Sequence, residues 1–125
     1  MNILLIDDDI LVLRMLELHL VMEGHHVVTA KDGLEANDAI ENEKQKPDLI
    51  ICDLLMPHIS GLTFITMLRN FHNYSVPVIV ISSLKQGNLL AAQAGINDID
   101  FVQKPFAIDD IIQKVHAYNA KLSVL

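Results

Sequence analysis

Apolar residues follow two periods along this chain, and the two alternate. Continuous or nearly continuous apolar runs fall at residues 2–6, 26–29, 48–52 and 76–81, with a shorter one at Phe101 and Val102. Short runs of this kind, bounded by turn-forming residues, predict strands buried on both faces. Between them apolar side chains return at helical spacing. Leu11, Leu13, Met15, Leu16, Leu18, Leu20, Val21 and Met22 form the first such set and stop at Gly24. Leu34, Ala36, Ala39 and Ile40 form the second, which runs to about Glu43. Leu62, Phe64, Ile65, Leu68 and Phe71 form the third, a short fourth covers residues 89–94 before Gly95, and Ile108, Ile111, Ile112, Val115 and Leu122 form the last. Strand–helix units joined by short turns predict an α/β fold. Its architecture is a doubly wound five-stranded parallel sheet with helices on both faces. Residues 1–125 read as one domain.

The polar residues gain meaning from where these runs end. The most apolar strand, inside Lys46-Pro47-Asp48-Leu49-Ile50-Ile51-Cys52-Asp53-Leu54-Leu55-Met56-Pro57, gives way to the carboxylate of Asp53. Open parallel sheets carry their chemistry just beyond the carboxyl ends of the strands. An aspartate after a strand is also a common turn former, so the other strand ends must decide. The first strand runs into Asp7, Asp8 and Asp9. One of these suits a helix cap, but three adjacent carboxylates repel one another unless a cation compensates. If the first and third strands are neighbours, Asp7, Asp8 and Asp53 face one another and suit a hard divalent cation. Ser82 and Lys104 follow the fourth and fifth strands. Carboxylates with a cation, an ammonium and a hydroxyl in one crevice could neutralise a transferring phosphoryl group. Asp53 would then be its nucleophile, since an aspartyl phosphate is a known covalent intermediate.

Charge and composition narrow the classes. The formal charge of −7 argues against nonspecific nucleic-acid binding by this domain. No apolar run is long enough to span a bilayer, and no basic, apolar leader precedes the first strand. The single cysteine, Cys52, lies inside the central strand and reads as a small packing residue, a pattern that fits the reducing cytoplasm.

Over nearly its whole length the chain resembles the receiver domain of two-component response regulators. Ile3-Leu4-Leu5-Ile6-Asp7-Asp8-Asp9 is similar to that family's first strand and acidic pair. Residues 47–57 followed by Gly61 are similar to its phosphoacceptor segment, and Ser82, Phe101 and Lys104-Pro105-Phe106 to its hydroxyl, switch aromatic and lysine-proline motif. The resemblance implies the flavodoxin-like strand order 2-1-3-4-5. It implies a signalling switch, not a turnover enzyme, in which Asp53 accepts a phosphoryl group from a histidine kinase or phosphotransfer protein. It further implies that Mg2+ is bound by the carboxylates of Asp8 and Asp53, the backbone carbonyl of Leu55 and, through water, Asp7. Lys104 would pair with Asp53 and then with the phosphoryl group. Ser82 would move toward that group while Phe101 turns inward. Pro57, Gly61 and Pro105 would be structural, and Leu55 and Leu84 would flank the path of a hydrolytic water. Two leucines there offer such a water no hydrogen bond, so a long-lived phosphorylated state is expected.

Other features carry less. The segment between Ser82 and Gly95 is about two residues shorter than is usual in that family, and Gly87 lies where its fourth helix begins, so a short, late helix is expected. The six histidines lack metal-binding spacing. Ile111, Val115, Tyr118 and Leu122 recur at spacings of four, three and four. They read as core first, and second as a surface for phosphorylation-enhanced homodimers. Two rivals are a magnesium-dependent phosphohydrolase with Asp53 as nucleophile and a degenerate receiver serving as a protein-binding platform. A flavin module on the same sheet order is disfavoured by the acidic turn after the first strand.

Overall fold

Strand β3 (Leu49–Asp53) lies at the centre of the molecule, buried at every residue. The structure is a computed structural model that describes residues 1–42, 46–56, 59–71, 75–83 and 99–124. Around β3 the chain runs β1 (Asn2–Ile6), α1 (Ile10–Met22), β2 (His26–Ala30), α2 (Gly33–Asn42), α3 (Gly61–Phe71), β4 (Val78–Ser82), β5 (Ile99–Gln103) and α4 (Ile108–Val124). The five strands form one parallel sheet in the order β2-β1-β3-β4-β5. That is the order the resemblance implies. The short helix expected at residues 89–94 lies outside the described residues.

Alternation along the strands divides the core between the two faces of the sheet. Leu4, Ile6, Ile50, Cys52, Val78 and Val80 point one way, against Ala36 and Ile40 of α2 and Phe64, Ile65 and Leu68 of α3. Ile3, Leu5, Leu49, Ile51, Ile79 and Ile81 point the other way, against Leu13, Leu16 and Leu20 of α1 and Ile111 and Val115 of α4. Removing each of these large side chains from water contributes about 1.5–3 kcal/mol before entropic costs. Both faces are covered, which is why the central strands carry no polar alternation.

Local chemistry sets the element ends. The Asp9 side chain accepts from the Leu11 and Val12 amides and caps α1. Gly24, at φ 91°, closes that helix in a conformation that β-carbon sterics disfavour for other residues. Strand β4 starts at Val78, two residues later than the apolar run suggests. Pro77 has no N–H to offer a ladder, although its carbonyl accepts from the Ile50 amide at 3.1 Å. Strand β5 is longer than Phe101 and Val102. Asp100 and Gln103 pair through their backbones with β4, so side-chain polarity hides them from a hydropathy pattern.

Helix α1 also differs from a simple amphipathic reading. Leu13, Leu16 and Leu20 are its core residues, while Leu11, Met15, Leu18 and Met22 form an exposed stripe on the opposite side, with Ile10 and Val21 exposed beside it. Leu11 is 82% exposed. The spacing of four, three and four within that stripe is visible in the sequence; what is not visible is that none of the described residues covers it.

Candidate functional site

The carboxyl ends of β1, β3, β4 and β5 converge because the strands are parallel and in register. Ile6 is level with Cys52, Asp53 with Ile81, and Ser82 with Gln103. Asp53 and Ser82 are thus the last residues of their strands, and Asp7 and Lys104 the first beyond theirs. The Asp7 amide bonds to the Ala30 carbonyl and the Leu54 amide to that of Ile81, while the Lys104 amide bonds to that of Ser82. Each site residue is therefore held by main chain from a neighbouring strand end.

Three carboxylates and one ammonium form the centre. Asp7, Asp8 and Asp53 each offer an oxygen within 4.8 Å of the others, the one such group of potential ligands among the described residues. Asp7 and Asp53 are buried, and Asp8 is exposed. Lys104 Nζ donates to Asp7 Oδ2 at 3.1 Å and to Asp53 Oδ2 at 3.3 Å. Asp7 Oδ1 also accepts from the Asp9 amide at 2.9 Å, and Asp53 Oδ1 from the Leu55 amide at 3.2 Å. Lys104 is thus shared between two carboxylates, where the sequence pointed to Asp53 alone. The Lys104–Pro105 peptide bond is cis.

Burial works first against the Asp53 anion, and the neighbouring charge of Asp7 adds to this. Lys104 and the Leu55 amide offset only part, so the carboxyl pKa is pushed up to about 6. For Lys104 burial also disfavours the charged form, but the hydrogen bond and charge of Asp7 and the charge of Asp53 outweigh it and its pKa is raised. The group is a net acidic, partly dehydrated crevice with one exposed carboxylate at its mouth. That donor set fits a small, hard divalent cation that keeps part of its water shell.

Gly61 fixes the loop beyond Asp53. Its amide bonds to the Leu54 carbonyl at 2.8 Å, and a β-carbon there would meet the Asp53 carbonyl oxygen and come within 2.9 Å of Leu54 Cα. The same loop reaches α2, where a β-carbon on Gly33 would lie 2.8 Å from Ile59 Cβ. Leu55 is half exposed, and Met56 packs against the core. Ser82 is buried, and Phe101 is half-buried against the α2–α3 face of the core. Pro57, His58, Leu84 and Gly87 lie outside the described residues. Cys52 is fully buried beside Asp53, and burial pushes its thiol pKa far up, consistent with a packing role. A cleft of about 680 Å³ lies elsewhere, along β5 and α4, lined by Phe101, Phe106, Lys114, Tyr118 and Lys121 among others.

Comparison with known proteins gives a consistent result. Residues 3–116 match the family model described as the response regulator receiver domain. Transcriptional regulatory protein PrrA of Mycobacterium tuberculosis is 38% identical over 119 residues, 93% of this chain and 48% of PrrA. The chain spans about half the length of the curated relatives it matches. Among solved structures, the receiver domain of Francisella response regulator 1452 is similar with a TM-score of 0.83 and 28% identity, covering 97% of this chain and 98% of that one. Thermotoga maritima TrrA, solved with Mg2+-BeF, is similar with a TM-score of 0.78 and 29% identity, covering 94% and 97%.

Proposed function

The chain belongs to the response regulator receiver family, and from that premise we propose that it takes a phosphoryl group from a histidine kinase or phosphotransfer protein onto Asp53. A receiver of this kind is a signalling switch, not a turnover enzyme. The observation that carries the assignment to Asp53 is its place at the end of β3, beside the Lys104 ammonium and within 4.8 Å of the Asp7 and Asp8 carboxylates.

In the step itself a carboxylate oxygen of Asp53 attacks the phosphorus of a phosphohistidine. The new O–P bond forms as the P–N bond breaks, and the imidazole leaves. Asp53, with a pKa near 6, is mostly ionised at neutral pH and more basic than an ordinary carboxylate. Lys104 Nζ lies within hydrogen-bond reach of Asp53 Oδ2, so its ammonium stands beside the carboxylate that takes the phosphoryl group. The Asp8 and Asp53 carboxylates and the Leu55 carbonyl would hold Mg2+, with Asp7 acting through a water, and the ion would supply positive charge that this acidic crevice otherwise lacks. Ser82 and Phe101 then respond, the hydroxyl moving toward the phosphoryl group and the ring turning further inward.

The exposed apolar side of α1 begins one residue after the Asp7–Asp9 acidic run, which suits a protein donor whose apolar helix lies alongside. In this reading the domain works in the cytoplasm, either alone or as the input part of a longer regulator. No helix among the described residues is long and apolar enough to cross a membrane.

The test is intact-protein mass after incubation with Mg2+ and either a small phosphodonor or beryllofluoride. One adduct is expected on the native chain, and none with chelator or in Asp53→Asn. No adduct on native protein with all components present overturns the proposal. Leu18→Glu, in the apolar stripe, should keep the small-donor adduct and slow transfer from a cognate kinase at least tenfold, an effect of about 1.4 kcal/mol. A second measurement concerns lifetime. Leu55 offers a hydrolytic water no hydrogen-bond partner, so Leu55→Asn should shorten the phosphorylated state by roughly threefold to thirtyfold. Decay of the labelled phosphoryl group at the native rate would exclude a shielding role for this leucine.

A further inference from the structure

The loop that follows Asp53 has a second support, on an element far from the one that closes it. Gly33 is the first residue of α2 and is buried. A β-carbon on it would stand 2.8 Å from Ile59 Cβ, 3.4 Å from Ile59 Cγ2 and 3.5 Å from Ile59 Cδ1. Ile59 thus sits over the bare α-carbon of Gly33, and its side chain packs into the α2–α3 side of the core. The backbone of Gly33 is not left-handed, so a residue with a β-carbon would suit it and, inside a helix, be preferred to glycine. What the glycine supplies here is room.

The two sides of this contact differ in stiffness. On the α2 side, Asp32 Oδ1 accepts from the Glu35 amide at 2.8 Å, Glu35 Oε1 from the Lys31 amide at 2.9 Å, and the Asp32 carbonyl from the Ala36 amide at 3.0 Å. This reciprocal cap fixes the first turn. The Ala30 carbonyl just before it holds the Asp7 amide at 3.1 Å, and Ala36 and Ile40 anchor the helix in the core. On the loop side, the chain leaves Asp53, gives the Leu55 amide to Asp53 Oδ1 and returns at Gly61. Ile59 lies two residues before that return. Its β-carbon is bonded directly to the main chain, so no rotamer change carries it away from an added methyl group. The loop backbone would have to yield by roughly half an ångström, about the tolerance of a site that places reacting groups.

We propose that Gly33 is a positioning residue for the phosphoryl site: its missing side chain seats Ile59 on the first turn of α2, and that seat fixes where the Leu55 main chain stands beside Asp53. The proposal rests on the reading of Asp53 as the phosphoacceptor. Gly33 acts through Ile59 and the loop. Such coupling is reciprocal, so a ligand on Asp53 whose affinity depends on the seat must in turn be felt at Gly33.

The experiment is a double-variant cycle of Gly33→Ala, Ile59→Gly and the two combined. It is read by beryllofluoride affinity in excess Mg2+ and by the Leu55 amide signal in NMR spectra of the metal-free chain. Gly33→Ala should weaken beryllofluoride binding about tenfold or more and shift the Leu55 amide. In the Ile59→Gly background, which lacks the opposing β-carbon, the same change should alter affinity by less than about twofold and leave the Leu55 amide in place. An equal loss of affinity in both backgrounds overturns the proposal, as does native affinity in a folded Gly33→Ala protein. A second measurement does not need that variant. On addition of beryllofluoride and Mg2+, the Gly33 amide should shift in the native chain and stay in place in Ile59→Gly. A Gly33 amide that is unmoved in the native chain as the ligand binds, or that moves equally in both, also overturns the seat. A native chain that takes up no beryllofluoride overturns the phosphoacceptor reading instead, and the Leu55 signal of the metal-free variants then decides the seat by itself.

Discussion

Asp7 and Asp53 share one ammonium, and this shortage of positive charge is the main energetic feature of the site at the residue scale. Asp53 carries the consequence, its pKa moving from 3.8 to about 6 with burial as the first cause. Between those values the folded chain holds a proton that the unfolded chain has released, so this group's contribution to stability falls as pH rises through the window. Above about pH 6 the full cost remains. Asp53→Asn should therefore stabilise the metal-free protein at pH 7.5 by on the order of 1–2 kcal/mol. The gain should shrink toward zero near pH 4, about where the unfolded carboxyl also holds its proton. Urea unfolding across that range measures it, and a variant no more stable than the native chain at pH 7.5 would show that Lys104 already balances the pair. The same imbalance explains why a site built for an added cation and a phosphoryl group is strained without them.

Among the elements, the β3–α3 connection carries the site's accuracy. Gly61 starts α3 with its α-carbon against the backbone of Asp53 and Leu54, so a methyl group cannot be added without moving the acceptor loop. Gly61→Ala should cost about 1–3 kcal/mol by overpacking. It should also reduce beryllofluoride binding in Mg2+, because main chain beside the acceptor is what shifts. Retained affinity with normal stability would mean that the loop adapts freely. Helix α1 contrasts with this, since its core side is fixed by Leu13, Leu16 and Leu20 while its outer stripe makes no demand on the fold. Substitutions at Leu11 or Leu18 should accordingly alter partner transfer more than stability.

Across the whole molecule, the sheet separates two working faces. The acidic crevice lies at one end, and the β5–α4 side carries the large cleft and the Lys114–Asp100 ion pair at 3.0 Å. Of the four apolar residues spaced along α4, Ile111 and Val115 are fully buried, Tyr118 is partly buried against the same core, and Leu122 is 40% exposed. The core reading thus holds for the first two, and little of that stripe remains for self-association. What is left around β5 still borders Phe101, the residue expected to turn on phosphorylation. Beryllofluoride with Mg2+ should therefore raise the mass-average size at high concentration, and light scattering that reports the same monomer with and without it would exclude a homodimer.

The sequence by itself determined the alternation of elements, the two-sided burial of the central strands and the placing of Asp7, Asp53, Ser82 and Lys104 at strand ends. These follow from local period and from residues that sit next to the runs they end. Strand order came only through the family resemblance, since short turns fix which elements follow one another but not which strands become neighbours. Tertiary structure alone decided that Asp7 is buried while the adjacent Asp8 is exposed, and that Lys104 reaches Asp7 across 97 residues of chain as well as Asp53 across 51. It also decided that the outer stripe of α1 stays uncovered by the described residues and that Gly61 touches the acceptor backbone. Each depends on contacts between residues far apart in sequence, which carry no periodic signal.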